Sequence, residues 1–557
     1  MPRKYPHFIR ILCLLSLICS GAAQGRDISD QVREYLRDHI EAAGYPLRIN
    51  VAEEIIHSAS ELTRFYEKRT FRPAWIQADG PSPNVELLMK ALREAYREGL
   101  NPDDYHLTKI VLLHKLAREH KKQRNRLHPL ILTDLELLLT DAFLFYGTHL
   151  LAGKVDPEEI DTEWFANRRS ANLVLILESA VKANQIGSVL ASLKPRQPGY
   201  RRLKEALEFC RKMESEGGWP EVPPGPNLSR GARGRRVEAL YARLRASNDI
   251  KGMTGDDPNN FDDRLDKAIR HFQRRHGLGV DGIFGPLTRA AMNVPMRQRI
   301  HQIETNLDRW RWLPDDLGER YIIINIASFR LNLVEKGRIV MTMRAVVGTD
   351  YRRTPVFSSE INYLVFNPYW NVPEKLAVED LLPAIVNDPG YLAKRGIRVL
   401  RGWAEEQLDP SGIDWPGVTA ENISFRLRQN PGPLNPLGKV KFVFPNKFGI
   451  YLHDTPSHIQ FQKTERTFSS GCIRIEDPLR LAEYLLRDDG SWNMKGIKAA
   501  IAGGEATTAV LSNPIRIYIQ YWTAWTDEDG TIQFRTDIYD RDPPLLHALK
   551  QRSPTLD

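Results

Sequence analysis

The sequence predicts a multidomain α+β protein: a helical N-terminal domain, a small three-helix unit, and a mainly β C-terminal domain carrying an inserted cap. Three observations predict it. The chain has 557 residues, more than one hydrophobic core spans. A Pro/Gly-rich run at 217–228, GGWPEVPPGPNL, interrupts helical patterning. From Tyr321 onward the apolar period falls from that of a helix to two.

Residues 1–23 read as a secretory signal. Arg3, Lys4 and Arg10 supply a basic start, Ile11 to Cys19 a short apolar core, and Gly21-Ala22-Ala23 a small-residue cleavage site. The apolar run is short for a membrane span, although an uncleaved signal would still anchor the chain. No other stretch qualifies, because Leu130–Leu151 is broken by Asp134, Glu136 and Asp141.

Residues 27–216 follow a helical pattern. Val85–Gly99, Leu130–Leu151, Leu173–Leu193 and Tyr200–Met213 each show helical apolar spacing. His149 within this region reads as structural. After the 217–228 linker, residues 229–293 form a compact unit. Val237, Leu240, Tyr241 and Leu244 share one helical face, and Ala268, Ile269 and Phe272 share another. Gly282 and Gly285 suit a tight turn there, with Thr288 as a cap for the next helix.

The β region runs over 320–540. Tyr321–Ile326, Arg330–Val334, Ile339–Val347, Ile361–Val365, Val440–Phe444 and Gly449–Leu452 read as strands, with turns at Ala327-Ser328 and Lys336-Gly337. An insertion at about 374–430, with Trp403 and Trp415, has helical and loop character. Pro478–Arg487 reads as a helix. Ile515–Trp522 and Ile532–Asp537 read as a final hairpin, followed by a polar tail.

Chemistry concentrates in Tyr451 to Arg474. Cys472 follows Ser469-Ser470-Gly471 and precedes Ile473-Arg474, with His453 upstream. A thiol is a nucleophile as thiolate, and an adjacent imidazole is the usual activator. The small residues suit a tight turn that leaves the sulfur accessible, and the N–H groups of Gly471 and Cys472 are candidate oxyanion donors. On an extended segment Arg474 shares a face with Cys472, and Tyr451 shares one with His453. Asp454 follows His453 directly and would point away, so the group orienting the imidazole is a main-chain carbonyl or another side chain. The alternative for Cys472 is a buried small apolar residue; for Tyr451, a core aromatic. A metal site on His453, His458 and Cys472 lacks the close Cys pairs of structural zinc.

Four Cys occur in the chain, and removal of the signal takes Cys13 and Cys19. Cys210, in a helical pattern, reads as buried, leaving Cys472 as a free thiol. Net charge is +8 with 27% charged residues. No dense Lys/Arg block points to nucleic acid. There is no phosphate-binding loop and no His-Glu-x-x-His, so neither a cofactor nor a bound metal is expected.

The run around Cys472 resembles the signature of the L,D-transpeptidases with a YkuD-type catalytic domain. In that family a His precedes a Ser-His-Gly-Cys-hydrophobic-Arg/Asn run. His453, Gly471, Cys472 and Arg474 match, and Ser470 departs from the second His. A Ser-Ser-Gly-Cys run is the mark of the large periplasmic, YcbB-like subfamily. Asn367-Pro368-Tyr369-Trp370-Asn371-Val372-Pro373 and Gly432 to Phe442 match its strand entries. Phe65-Tyr66-Glu67, Arg72-Pro73-Ala74-Trp75 and Tyr146-Gly147-Thr148-His149 resemble its N-terminal scaffold. The order Phe272-Gln273, Gly277-Leu278, Asp281-Gly282, Gly285 and Thr288 resembles a peptidoglycan-binding module; a helical spacer without a ligand is the alternative.

The resemblance implies a periplasmic cysteine acyltransferase of cell-wall biogenesis. Cys472 would attack the third-residue carbonyl of a peptidoglycan tetrapeptide, release D-Ala, and pass the acyl group to a neighbouring stem amine, giving 3→3 cross-links. His453 would be the base; Arg474, Ser470, Tyr451 and Trp370 would line the substrate site. The insertion at 374–430 would cap the cleft. Carbapenems would acylate Cys472, and other wall-synthesis enzymes are expected partners. An L,D-carboxypeptidase, a lipoprotein-anchoring enzyme and a non-catalytic wall-binding protein remain alternatives.

Overall fold

A computed structural model describes residues 27–44, 47–122, 128–165, 168–250, 257–402 and 406–551. The expected signal at 1–23 and Trp403 lie outside the described residues. Among the described residues no helix is long and apolar enough to cross a membrane.

The N-terminal part packs helices around Pro129–Ala152, which is buried on nearly all sides. A helix buried all round must satisfy its polar side chains internally. Asp141 accepts from Ser58 N at 2.6 Å and from His106 Nε2 at 2.8 Å, while Glu136 accepts from the main-chain N–H groups of Trp75 and Ile76, each at 2.9 Å. The acidic residues that break the apolar run in sequence are therefore internal anchors for neighbouring loops. His149 is buried against the Tyr105 hydroxyl at 3.0 Å.

The unit after the Pro/Gly run has helices Arg235–Ala246, Asp263–Arg275 and Pro286–Met292 around its own core. Gly282 alone of the two turn glycines has a positive φ, +76°. Thr288 is not a cap: it lies inside the last helix, donating to Ile283 O and accepting from Gln273 Nε2 at 3.2 Å.

Helix Met296–Arg311 joins these parts to the β region. Asp308 accepts from the N–H groups of Lys154 and Val155, and Arg309 pairs with Asp542 at 2.5 Å. Nearly every side chain of its second half is buried.

The β region is built on β1 (Arg320–Asn325), β2 (Arg330–Glu335), β3 (Arg338–Gly348), β4 (Phe357–Phe366), β5 (Trp370–Asn371), β6 (Ile397–Arg401), β7 (Glu406–Leu408), β8 (Phe425–Gln429), β9 (Val440–Val443), β10 (Leu452–His453), β11 (Thr467–Ser469), β12 (Ile473–Ile475), β13 (Thr507–Gln520), β14 (Ala524–Thr526) and β15 (Ile532–Phe534). The main sheet runs β11-β3-β12-β10-β9-β4-β13-β1-β2, and β2 also pairs with β3. That last pairing closes the sheet on itself, which removes exposed edges along β2. Its interior is aliphatic and aromatic.

Four expectations are corrected. Ile515–Trp522 is not half of a final hairpin: Thr507–Gln520 is a central strand, parallel to β1 and antiparallel to β4, and the hairpin is β14-β15. Its β-branched alternation suits both neighbours, so local pattern could not choose its partner. The expected polar tail holds helix Asp542–Lys550, with Leu545 and Leu549 buried. Gly449 lies in a turn with φ +67°, and the strand there is only Leu452–His453. The 374–430 insertion contains strands β6, β7 and β8, which with β5 just before it form a sheet ordered β7-β6-β8-β5, besides short helices. It encloses its own core, including Val372, Leu381, Ile385, Val399 and Leu427.

Candidate active site

Register assembles the site. Strands β10 and β12 pair in parallel, with Leu452 opposite Ile473 and His453 opposite Arg474. Strands β9 and β10 pair antiparallel, with Lys441 opposite His453 and Phe442 opposite Leu452. Since side chains alternate across a sheet, Phe442, Leu452 and Ile473 go into the core, where all three are fully buried. Burying each such side chain contributes about 1.5–3 kcal/mol, and this fixes the register. Lys441, His453 and Arg474 are thereby forced to the opposite face. Tyr451 and Cys472, one residue before each pairing, flank them: Ile473 N donates to Tyr451 O at 3.2 Å.

His453 is buried, and its Nδ1 meets Asp454 O at 2.5 Å. A carbonyl only accepts, so Nδ1 carries the hydrogen and Nε2 the lone pair. Burial, then the nearby Arg474 and Lys441 cations, push the imidazole down to about 3, against a weaker upward pull from main-chain carbonyls. It is neutral, the form a base requires. The Asp454 side chain does point away, accepting from Lys439 N at 2.8 Å.

Cys472 is half-buried, less open than its small neighbours suggest. Burial pushes its thiol up, opposed by Tyr451 through its N–H and hydroxyl and by Lys441 and Arg474. Thiol and imidazole thus both rest uncharged, with cations placed to favour the thiolate when it forms. Sγ lies 3.9 Å from Gly449 O. Cys472 and Cys210 are both free, and Cys210 is buried.

The turn before Cys472 is braced from elsewhere. Gly471 has φ +105°, a region that favours glycine, and a Cβ there would lie 3.4 Å from Arg353 O. Thr354 Oγ1 donates to Gly471 O at 2.8 Å and accepts from Gly348 N at 2.9 Å. Tyr539 Oη donates to Gly348 O at 2.6 Å. Ser469 Oγ donates to Cys472 O at 2.5 Å and accepts from Gly471 N at 3.2 Å. The Gly471 N–H, one expected oxyanion donor, is thus engaged by Ser469, and the Cys472 N–H is the other candidate.

The other expected site residues divide. Arg474 donates to Gln460 Oε1 at 2.8 Å and shares the face of Cys472. The Tyr451 ring lies 5.6 Å from that of His453 and 3.8 Å from Lys441 Nζ. Ser470 is exposed and accepts from Arg352 Nη1 at 3.1 Å. Trp370 is instead part of β5, packed on the cap's core. Sequence reasoning missed Lys441, Arg352, Thr354 and Tyr539. Only Lys441 carried a local signal, as the polar alternate between Val440 and Phe442.

Three family models match parts of the chain. Residues 319–508 match the family model "L,D-transpeptidase catalytic domain", YkuD; residues 60–207 match "Scaffold domain"; residues 233–292 match "Putative peptidoglycan binding domain". The chain carries a YkuD-type L,D-transpeptidase catalytic domain, and a peptidoglycan-binding domain precedes it. A curated protein of Haemophilus influenzae named "Putative L,D-transpeptidase" is 36% identical over 241 residues, 43% of this chain and 48% of that protein. The chain thus spans about half the length of that curated relative. Two solved L,D-transpeptidase structures are also similar. The one from Xylanimonas cellulosilytica has 17% identity, covering 53% of this chain and 99% of that chain, with a TM-score of 0.18. The one from Stackebrandtia nassauensis has 14% identity, covering 54% of this chain and 96% of that chain, with a TM-score of 0.20.

Proposed function

We propose that the protein is a peptidoglycan L,D-transpeptidase, a cysteine acyltransferase acting in the periplasm. The observation that carries this reading is the single sheet face shared by Tyr451, His453, Cys472 and Arg474, next to the cap. The peptidoglycan-binding domain match supports the polymer as substrate.

In this reading the donor is a stem tetrapeptide. His453 Nε2 takes the Cys472 proton as sulfur bonds to the third-residue carbonyl carbon. The oxyanion is met by the Cys472 N–H. The bond to the D-Ala nitrogen breaks, His453 returns the proton to that nitrogen, and D-Ala leaves. A thioester remains. A stem side-chain amine then attacks it, giving its proton to His453, and the thiol is restored as the 3→3 amide forms. A capped site favours the amine by excluding water. With water as acceptor the same steps give an L,D-carboxypeptidase; with a lipoprotein amine they give an anchoring enzyme.

Intact mass of residues 24–557 after exposure to a carbapenem tests the nucleophile, with Cys472→Ala as control. One drug mass on the parent and none on the variant is expected. No adduct on folded, reduced protein would overturn the acyltransferase reading in favour of a non-catalytic wall-binding protein. Product analysis on tetrapeptide-rich sacculi then separates transfer from hydrolysis.

A further inference from the structure

The segment after β3 carries a guanidinium that is bound entirely by groups around the site. Arg352 Nη1 donates to Ser470 Oγ at 3.1 Å and to Asp380 Oδ2 at 2.6 Å; Nη2 donates to Asp380 Oδ1 at 2.7 Å and to Glu379 Oε2 at 2.6 Å. Ser470 is two residues from the nucleophile. Glu379 and Asp380 belong to the cap, in the turn Ala377–Leu381. The Arg352 side chain is 12% exposed, whereas the two carboxylates are 46% and 45% exposed.

Two features make this more than a brace. One guanidinium is met by two adjacent carboxylates, each of which keeps much of its solvent exposure, and Glu379 also lies 3.9 Å from Lys375 Nζ on its own segment. Lys441 and Arg474 have no carboxylate partner among the described ion pairs, although both act on the Cys472 thiolate. The face around the sulfur thus carries two cations without a carboxylate partner among the described ion pairs, while Glu379 and Asp380 of the cap hold Arg352.

Resting on the proposed function, we propose that Arg352 is the receptor for the terminal carboxylate of the donor stem, and that Glu379 and Asp380 occupy it when no donor is bound. The chemistry fits the position. In a tetrapeptide donor the leaving D-Ala carboxylate is separated from the attacked carbonyl carbon only by one nitrogen and one Cα. Its receptor must therefore lie beside the nucleophile's turn, and Arg352 touches that turn at Ser470. A planar guanidinium takes a carboxylate through two parallel hydrogen bonds, the geometry Asp380 now displays. The donor's carboxylate would displace the cap's acids, so substrate entry and release of this cap contact are one event. The arrangement selects a tetrapeptide with a free C-terminus.

The test compares two soluble tetrapeptide donors, one ending in D-Ala and one in D-alaninamide, with release of the terminal residue as readout. The full chain, Arg352→Gln and the double variant Glu379→Gln/Asp380→Asn are compared. The wild-type enzyme is expected to prefer the carboxylate donor at least tenfold in kcat/KM. Arg352→Gln should reduce that preference about tenfold, and the double variant should lower KM for the carboxylate donor alone, about threefold to tenfold. Equal losses on both donors in Arg352→Gln would make Arg352 a structural brace and overturn the inference. So would a wild-type enzyme that releases both residues equally well, a result that leaves the transpeptidase reading intact. Release from neither donor by folded wild-type protein would remove that reading, and the inference with it.

Discussion

His453 and Arg474 are directly opposed across the parallel pairing of β10 and β12, so an imidazole and a guanidinium face the same side beside Cys472. This places a cation where it opposes protonation of the ring and favours the thiolate. For a proton passing from sulfur to ring the two effects oppose each other: the cation favours the thiolate that is left and disfavours the imidazolium that forms, and the ring holds no charge at rest.

The acid limb of acylation should be displaced. Burial, Arg474 and Lys441 hold His453 at about 3, so lowering the pH through the ordinary histidine range, ~6.5, should leave the base form in place. The rate of carbapenem acylation should show no break near that value, and a break there would mean an ordinary solvated imidazole. His453→Ala should slow acylation about 10²–10⁴-fold with an unchanged circular-dichroism spectrum.

Alkylation of Cys472 by iodoacetamide should rise with pH to a midpoint above that of an ordinary thiol, ~8.5, because burial outweighs the favourable neighbours. Lys441→Met removes one cation that favours the thiolate, so the midpoint should move further up. A midpoint below neutrality in the parent would instead indicate a resting thiolate–imidazolium pair.

The brace under the Cys472 turn should be costly to disturb. A Cβ on Gly348 would sit 2.1 Å from Arg352 O, and main chain cannot move aside cheaply. Gly348→Ala should destabilise by about 1–3 kcal/mol and slow acylation together. Tyr539→Phe removes the donor to Gly348 O and should cost about 1 kcal/mol, both read from thermal unfolding. Full stability in either variant would show that the turn holds without them.

Replacing 374–430 by a short linker should raise hydrolysis relative to transfer, since water would then reach the thioester. The cap has a separate core, so its removal should spare the main sheet. An unchanged product ratio would end the lid reading.

What the sequence determined was local. Helical spacing named the N-terminal helices, period-two runs named most strands, and Ser469 to Arg474 with His453 named Cys472 and His453 as the candidate nucleophile and base. These follow from side-chain spacing, which needs no knowledge of what packs across from it. Tertiary structure decided the rest. It chose the neighbours of Thr507–Gln520, gave the insertion a sheet, and moved Trp370 to the cap. It set Lys441 beside His453 and Arg352 against Ser470, and brought Tyr539 under Gly348. Strand register and long-range side-chain contacts depend on which buried faces meet. Short β-branched segments fit several partners equally well, and only the closed sheet selects among them.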